Sequence, residues 1–123
     1  MEIINNISKI DNDPIVLTIG NFDGIHPGHQ ALIKRVVEIS KVHDYIPSLM
    51  TFNPMPQELF NHKDFFVIMN ENSKLKYLEQ NGIKKCFLIP FTKDFSIIKA
   101  DEFIKDILIR NLNVRHLVIG EDF

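Results

Sequence analysis

The chain has 123 residues, 45% of them apolar and ten of them phenylalanine, enough for one domain with a hydrophobic core of its own. Fourteen basic and sixteen acidic residues are well mixed and leave a formal net charge of -2, which argues against a nucleic-acid groove or a membrane-binding face. No apolar run approaches spanning length, and Met1-Glu2-Ile3-Ile4-Asn5 lacks the basic and apolar regions of a signal peptide, so the expected location is the cytoplasm.

In chain order, Ile15-Val16-Leu17-Thr18-Ile19 predicts a buried strand, followed at once by Gly20-Asn21-Phe22-Asp23-Gly24-Ile25-His26-Pro27-Gly28-His29. From Gly28 to about His43 the pattern is an amphipathic helix, with Leu32, Val36 and Ile39 on one stripe beside Ile33 and Val37. Ile46 to Phe52 reads as a second strand. The loop Asn53-Pro54-Met55-Pro56-Gln57-Glu58-Leu59-Phe60 leaves its carboxyl end, and its prolines prevent further pairing. The stretch from Asn61 to Met69 carries no pattern.

A second helix is expected from Asn70 or Glu71 to Gln80, stopped by Asn81-Gly82. Lys85 to Ile89 is a third strand. Cys86 within it is the single cysteine, so no internal disulfide is open to it, and its apolar neighbours mark it as strand core rather than nucleophile. The last helix runs from about Ala100 to Leu112, where Phe103-Ile107 and Ile104-Leu108-Leu112 recur every fourth position and Asp101 and Glu102 complement its positive end. Arg115 to Ile119 is a fourth strand, before Gly120-Glu121-Asp122-Phe123. Strands alternating with helices imply right-handed parallel crossovers and a doubly wound α/β sheet covered on both faces. Ligands of such sheets bind beyond the carboxyl ends of the strands, where the opening motif, the loop from Asn53 and the segment from Gly120 all fall.

The residues from Gly20 to His29 carry the chemistry. They sit where a strand becomes a helix, so free backbone N–H groups and the positive helix end already favour an anion. His26 and His29, three residues apart, fall on one face of a helix that begins near Pro27, and Pro27 suits its first turn. The glycine spacing G-x-x-x-G-x-x-x-G is neither the dinucleotide fingerprint nor a P-loop. No Cys/His cluster joins the histidines to complete a zinc site, and no metal ligand set is assigned. The alternative is structural: glycines marking a tight turn and two partly exposed histidines.

The string H-x-G-H after G-N-F-D-G resembles the signature of the HIGH-type nucleotidyltransferases, and in its full form that of the bacterial bifunctional riboflavin kinase/FMN adenylyltransferase family. Thr51-Phe52-Asn53-Pro54-Met55-Pro56 looks like the family's T-F-x-P-x-P loop. Phe91-Thr92-Lys93-Asp94-Phe95 leading to Glu102-Phe103-Ile104 is similar to the stretch before its last crossover helix, and Val118-Ile119-Gly120-Glu121-Asp122-Phe123 to the start of its G-x-D/N-F-R-F-G segment.

The resemblance implies a Rossmann-like fold and transfer of AMP from ATP to FMN, giving FAD and pyrophosphate with Mg2+ and without a covalent intermediate. It implies that His26 and His29 are the catalytic pair, that Gly20, Asn21, Phe22, Asp23, Gly24 and Gly28 cradle ATP phosphates, and that Phe52, Asn53, Pro54, Pro56 and Asp122 wall the flavin and nucleotide pocket. Asp23 is read chiefly as an organiser of its turn. Phe22 is read as core or ligand wall, and Phe60, Phe65 and Phe66 as core under a long loop rather than a flavin platform. His43, His62 and His116 read as surface or edge residues.

Asn53 and Met55 replace an acidic and a polar residue common in the family, and Lys99 replaces a Ser/Thr that would cap the last helix, a loss of about 1 kcal/mol. The match stops at Phe123. The expectation is therefore an adenylyltransferase domain over 1–123, truncated after its fourth main strand, without the riboflavin kinase domain and inactive by itself. An uncovered sheet edge in such a piece is expected to drive self-association. Two alternatives stand beside this reading: a related nucleotidyltransferase with a pantetheine-phosphate or nicotinamide-nucleotide acceptor, and a non-catalytic nucleotide-binding fragment.

Overall fold

The aliphatic runs found in the sequence pair side by side. The computed structural model describes residues 1–8, 13–54, 56 and 69–120, and in it β1 (Glu2–Ile4), β2 (Ile15–Ile19), β3 (Ile46–Phe52), β4 (Lys85–Ile89) and β5 (Val114–Val118) form one sheet of order β1-β4-β3-β2-β5. Every pairing is parallel. The central strands are buried on both faces, which is why they read as near-continuous apolar runs rather than alternating ones.

The helices sort the strand side chains into two cores. On one face, α1 (Pro27–His43) contributes Ile33, Val36 and Ile39, and α2 (Glu71–Gln80) contributes Leu78, packed with Val16, Leu49 and Cys86. On the other, Ile107, Leu108 and Leu112 pack on Leu17, Met50, Phe87 and Ile89. Burial pushes the Cys86 thiol up to about 11, in keeping with a core role. The chain steps from β2 to β3 to β4 under α1 and α2, then returns along the opposite face to β5. Strand order reverses between β2 and β5, which defines the switch point of a doubly wound sheet.

The predicted bounds of β2, β3, β4 and α2 hold. Asn70 caps α2 by accepting the Ser73 N–H at 2.8 Å, and Gly82, at φ 99, closes it with Ile83 N–H bonding Leu78 O at 3.1 Å. Three features were not foreseen. β1 pairs Glu2–Ile4 with Lys85–Phe87 at the far edge and is too short to show a period. The short α3 (Lys93–Ser96) forms because the Thr92 hydroxyl accepts the Phe95 N–H at 3.1 Å.

The last helix is α-helical only at its start, α4 (Ala100–Glu102), and continues as a π-helix over Phe103–Asn111. Leu112 N–H bonds Ile107 O at 3.0 Å, five residues back. Apolar residues here recur at five-residue spacing as well as four, with Phe103 above Leu108 and Ile107 above Leu112, so the sequence suits either winding. Lys99 stands at the helix start without a side-chain cap, as its chemistry requires.

Candidate active site at the switch point

The end of β2 shapes the site through its backbone. Gly20 N–H extends the β3 pairing to Met50 O at 3.1 Å, and the chain then turns through Phe22 (φ 52), Gly24 (φ 83) and Ile25 (φ 41). Left-handed backbone suits glycine but strains a phenylalanine and still more a β-branched isoleucine. Both are held there because their side chains are buried in the α1–α2 core, 1% and 4% exposed. Two glycines answer close approaches: a Cβ on Gly20 would stand 3.1 Å from the Phe22 ring, and one on Gly28 would stand 3.0 Å from His26 Cε1.

The turn delivers α1 with Pro27 in its first turn, His26 at its cap position, no side-chain cap and no acidic residue in that turn. The positive helix end therefore meets no carboxylate of its own first turn. The His26 and His29 rings stack with centroids 3.5 Å apart, and His29 leans on Phe22 at 5.0 Å. His29 Nδ1 is buried without a hydrogen-bond partner among the described residues. Burial chiefly, then the neighbouring charges of His26 and Lys74, hold its pKa below the ordinary histidine value against the opposing pull of Asp23. Asp23 Oδ1 accepts the Met69 N–H at 2.8 Å, which supports the turn-organising role.

A cleft of about 1190 Å3 opens over this turn. It lies just above the roughly 300–1,000 Å3 usual for small-molecule pockets. One wall is Gly20 to Asp23, His26, Gly28 and His29; the floor and far rim include Leu117, Ile119 and Gly120 at the end of β5. The other wall is aromatic: Phe52 meets Phe91 and Phe95 edge-on at 5.4 and 5.6 Å, and Phe95 meets Phe103 at 5.9 Å.

Of the residues named from sequence, Gly20, Asn21, Phe22, Asp23, His26, Gly28, His29 and Phe52 line this cleft together. Gly24 is exposed in the turn. Asn53 and Pro54 are exposed outside the lining, where the Asn53 amide donates to the Glu71 carboxylate, and Pro56 is half-buried outside it. Asp122, Met55, Phe60, Phe65, Phe66 and His62 lie outside the described residues. His43 and His116 are exposed, and His43 stacks on Tyr45 at 5.3 Å.

Sequence reasoning missed the aromatic wall as a wall, although Phe91, Phe95 and Phe103 stood in the family-like stretch. It also missed Lys74, 2% exposed beneath the turn. Its signal was a lysine four residues before Leu78 on the buried stripe of α2.

Fold and cleft together define a doubly wound α/β protein with a candidate ligand cleft at its switch point. The family model for FAD synthetase matches residues 8–123, and the chain belongs to that family of nucleotidyltransferases. It is 39% identical over 124 residues to the bifunctional riboflavin kinase/FMN adenylyltransferase of Buchnera aphidicola subsp. Schizaphis graminum, covering 98% of this chain and 38% of that protein. Against the protein so named in Escherichia coli (strain K12) it is 36% identical over 121 residues, covering 98% and 39%.

A crystal structure described as a macrolide-efflux protein from Streptococcus pneumoniae superposes with a TM-score of 0.86 at 30% identity, over 98% of this chain and 48% of that one. The chain thus spans 38–39% of the length of these curated relatives. Among the described residues no helix is long and apolar enough to cross a membrane.

Proposed function

We propose that this chain supplies the ATP and FMN cleft of an FMN adenylyltransferase, the catalytic unit that moves AMP from ATP to FMN and releases pyrophosphate. The observation that carries the reading is the stacked His26–His29 pair at the uncapped start of α1, facing an aromatic wall across a single cleft. One wall offers donors for phosphates; the other offers ring faces and edges for flat heterocycles.

In the reaction an FMN phosphate oxygen bonds to the α-phosphorus of ATP while the bond to the bridging oxygen of pyrophosphate breaks. No enzyme nucleophile is required, so positioning and charge stabilisation carry the rate. The His29 ring lines the cleft stacked on His26, where its imidazole is placed to engage a phosphate oxygen. His26 and the backbone N–H groups at the start of α1 supply further donors, and Phe22 keeps the His29 ring in place.

Among the described residues no three His, Cys, Asp or Glu side chains gather as a metal cage. A magnesium ion brought with the ATP phosphates would face Asp23, the cleft carboxylate, and would offset phosphate charge. ATP and FMN as substrates go with a cytoplasmic location. β5 stands at the edge of the described sheet, and pairing of a second copy along it is the self-association that a molecular mass independent of concentration in light scattering would exclude.

Calorimetric titration with Mg-ATP and FMN, then turnover with FMN, phosphopantetheine and nicotinamide mononucleotide, tests the proposal. Binding of both ligands and FAD as the preferred product are expected. Binding of neither, or faster use of another acceptor, overturns it.

A further inference from the structure

The start of α2 reaches behind both walls of the cleft without lining it. Met69 N–H, just ahead of the Asn70 cap, donates to Asp23 Oδ1 at 2.8 Å, and Lys74 Nζ donates to Asn21 O at 3.0 Å and to Thr51 Oγ1 at 3.2 Å. These bonds steady the histidine turn and the end of β3. Glu71, the first residue of the helix, takes the Asn53 side-chain amide and so reaches the other wall.

Strand alternation places Asn53 behind that wall. Phe52 packs into the core under the last helix, while Thr51 and Asn53 bond to α2 residues on the opposite face. The pairing of β3 with β4 also continues past Phe52: Asn53 N–H donates to Ile89 O at 3.1 Å and Phe91 N–H to Pro54 O at 3.3 Å. Across these two added rungs Phe52 and Phe91 meet edge-on at 5.4 Å. Pro54 has no N–H to give, so its own nitrogen cannot anchor it, and the place of its carbonyl follows from what holds Asn53.

The two side chains match in one direction only. An ionised carboxylate accepts and never donates, so Glu71 requires a donor at 53, which asparagine supplies. An acidic residue at 53, common in the family, would meet Glu71 as a like charge.

We propose that Asn53 and Glu71 are a matched pair of positioning residues for the acceptor side of the cleft: together they fasten the end of β3 to α2 and so set the spacing of Phe52 and Phe91, the ring-lined side that takes the flat heterocycle of FMN. The inference rests on reading the cleft as an ATP and FMN site. Neither residue lines the cleft, so the pair acts through the backbone from Phe52 to Pro54 and touches no substrate.

The test exchanges donor and acceptor. Affinities for FMN and for Mg-ATP are measured by calorimetry in wild type, N53D, E71A, E71Q and the double variant N53D/E71Q, with urea midpoints alongside. N53D sets two carboxylates face to face and E71A removes the acceptor; each is expected to weaken FMN about fivefold while Mg-ATP changes less than about twofold. E71Q keeps an acceptor and should bind FMN within about twofold of wild type. N53D/E71Q reverses the bond, the glutamine donating to the aspartate, and should return FMN affinity to within about twofold of wild type.

Equal weakening of FMN and Mg-ATP in step with the urea midpoint marks a purely structural contact and overturns the proposal. E71Q as weak as E71A, or no recovery in the double variant, also overturns it, because charge at the helix start rather than the bond would then be at work. If N53D does not fold by circular dichroism, E71A against E71Q decides; failure of both N53D and E71A to fold overturns the proposal. Wild type that binds neither ligand overturns the reading of the cleft and this inference with it, whereas wild type that binds both while N53D and E71A match it overturns the pair alone.

Discussion

The two walls of the cleft are built on different principles. The wall from Gly20 to His29 is a continuous ten-residue segment whose shape is set by backbone: three positive-φ residues, glycines admitting close ring contacts and an uncapped helix start. The facing wall gathers Phe52, Phe91, Phe95 and Phe103 from three separate segments, held by edge-to-face ring packing. A local wall demands specific residue types at fixed spacing. An assembled wall demands only bulk and aromaticity from each contributor, because the fold supplies the geometry.

His29→Ala is the hardest test of that division. Removing a preorganised donor from the phosphate side should lower adenylyl transfer by the catalytic unit roughly 100-fold, with a KM for FMN nearly unchanged. A change confined to the FMN KM would mean that the walls do not divide the labour this way. Phe95→Ala acts on the other side. Phe95 makes ring contacts with Phe52, Phe91 and Phe103, so its loss should cost about 2 kcal/mol in urea unfolding and weaken FMN more than ATP. Equal loss of both ligands would show a collapsed cleft rather than a flavin wall.

Smaller effects sharpen the backbone side. Gly24→Ala places a Cβ at φ 83 in an exposed turn and should destabilise by about 1 kcal/mol, measured by urea midpoint, with ATP binding lowered alongside. The smallest effect is on pH dependence. His29 has a folded pKa below 6.5, so as pH falls through 6.5 the unfolded chain takes up a proton that the folded protein does not. Stability attributable to His29 is therefore intact above that value and declines below it. Urea midpoints between pH 7.5 and 5.5 should fall less steeply in His29→Asn than in wild type; parallel slopes would sink the assignment.

The same contrast explains what the sequence revealed. The switch-point turn was legible because left-handed turns, an N1 proline and paired histidines leave a spaced signature, and β2, β3 and β4 were legible because both of their faces are buried. The aromatic wall was not. Each phenylalanine there fits an ordinary core pattern, and only the return of the chain along the second face brings them together. Lys74 was hidden for a related reason: its place in α2 looks solvated until Asn21 and Thr51 are folded over it. The π-helix was hidden because apolar residues at 103, 104, 107, 108 and 112 satisfy four- and five-residue repeats alike.

The strand order has a consequence in time as well as in space. β2 and β3 are joined through α1 alone and β3 and β4 by a single crossover, whereas Ile15 finds its β5 partner only at Val114, after the chain has passed through the rest of the sheet. Distant pairings of this kind carry the greater loop-closure entropy and form slowly. During synthesis, which proceeds from the amino end, the histidine turn emerges long before the strand that closes the cleft beside it. On the proposed reading, nucleotide that requires both sides would stabilise only a sheet in which β5 has docked on β2. Ligand rescue of refolding would thus act on the docking of Val114–Val118 against Ile15–Thr18, making a late pairing the one that substrate can secure.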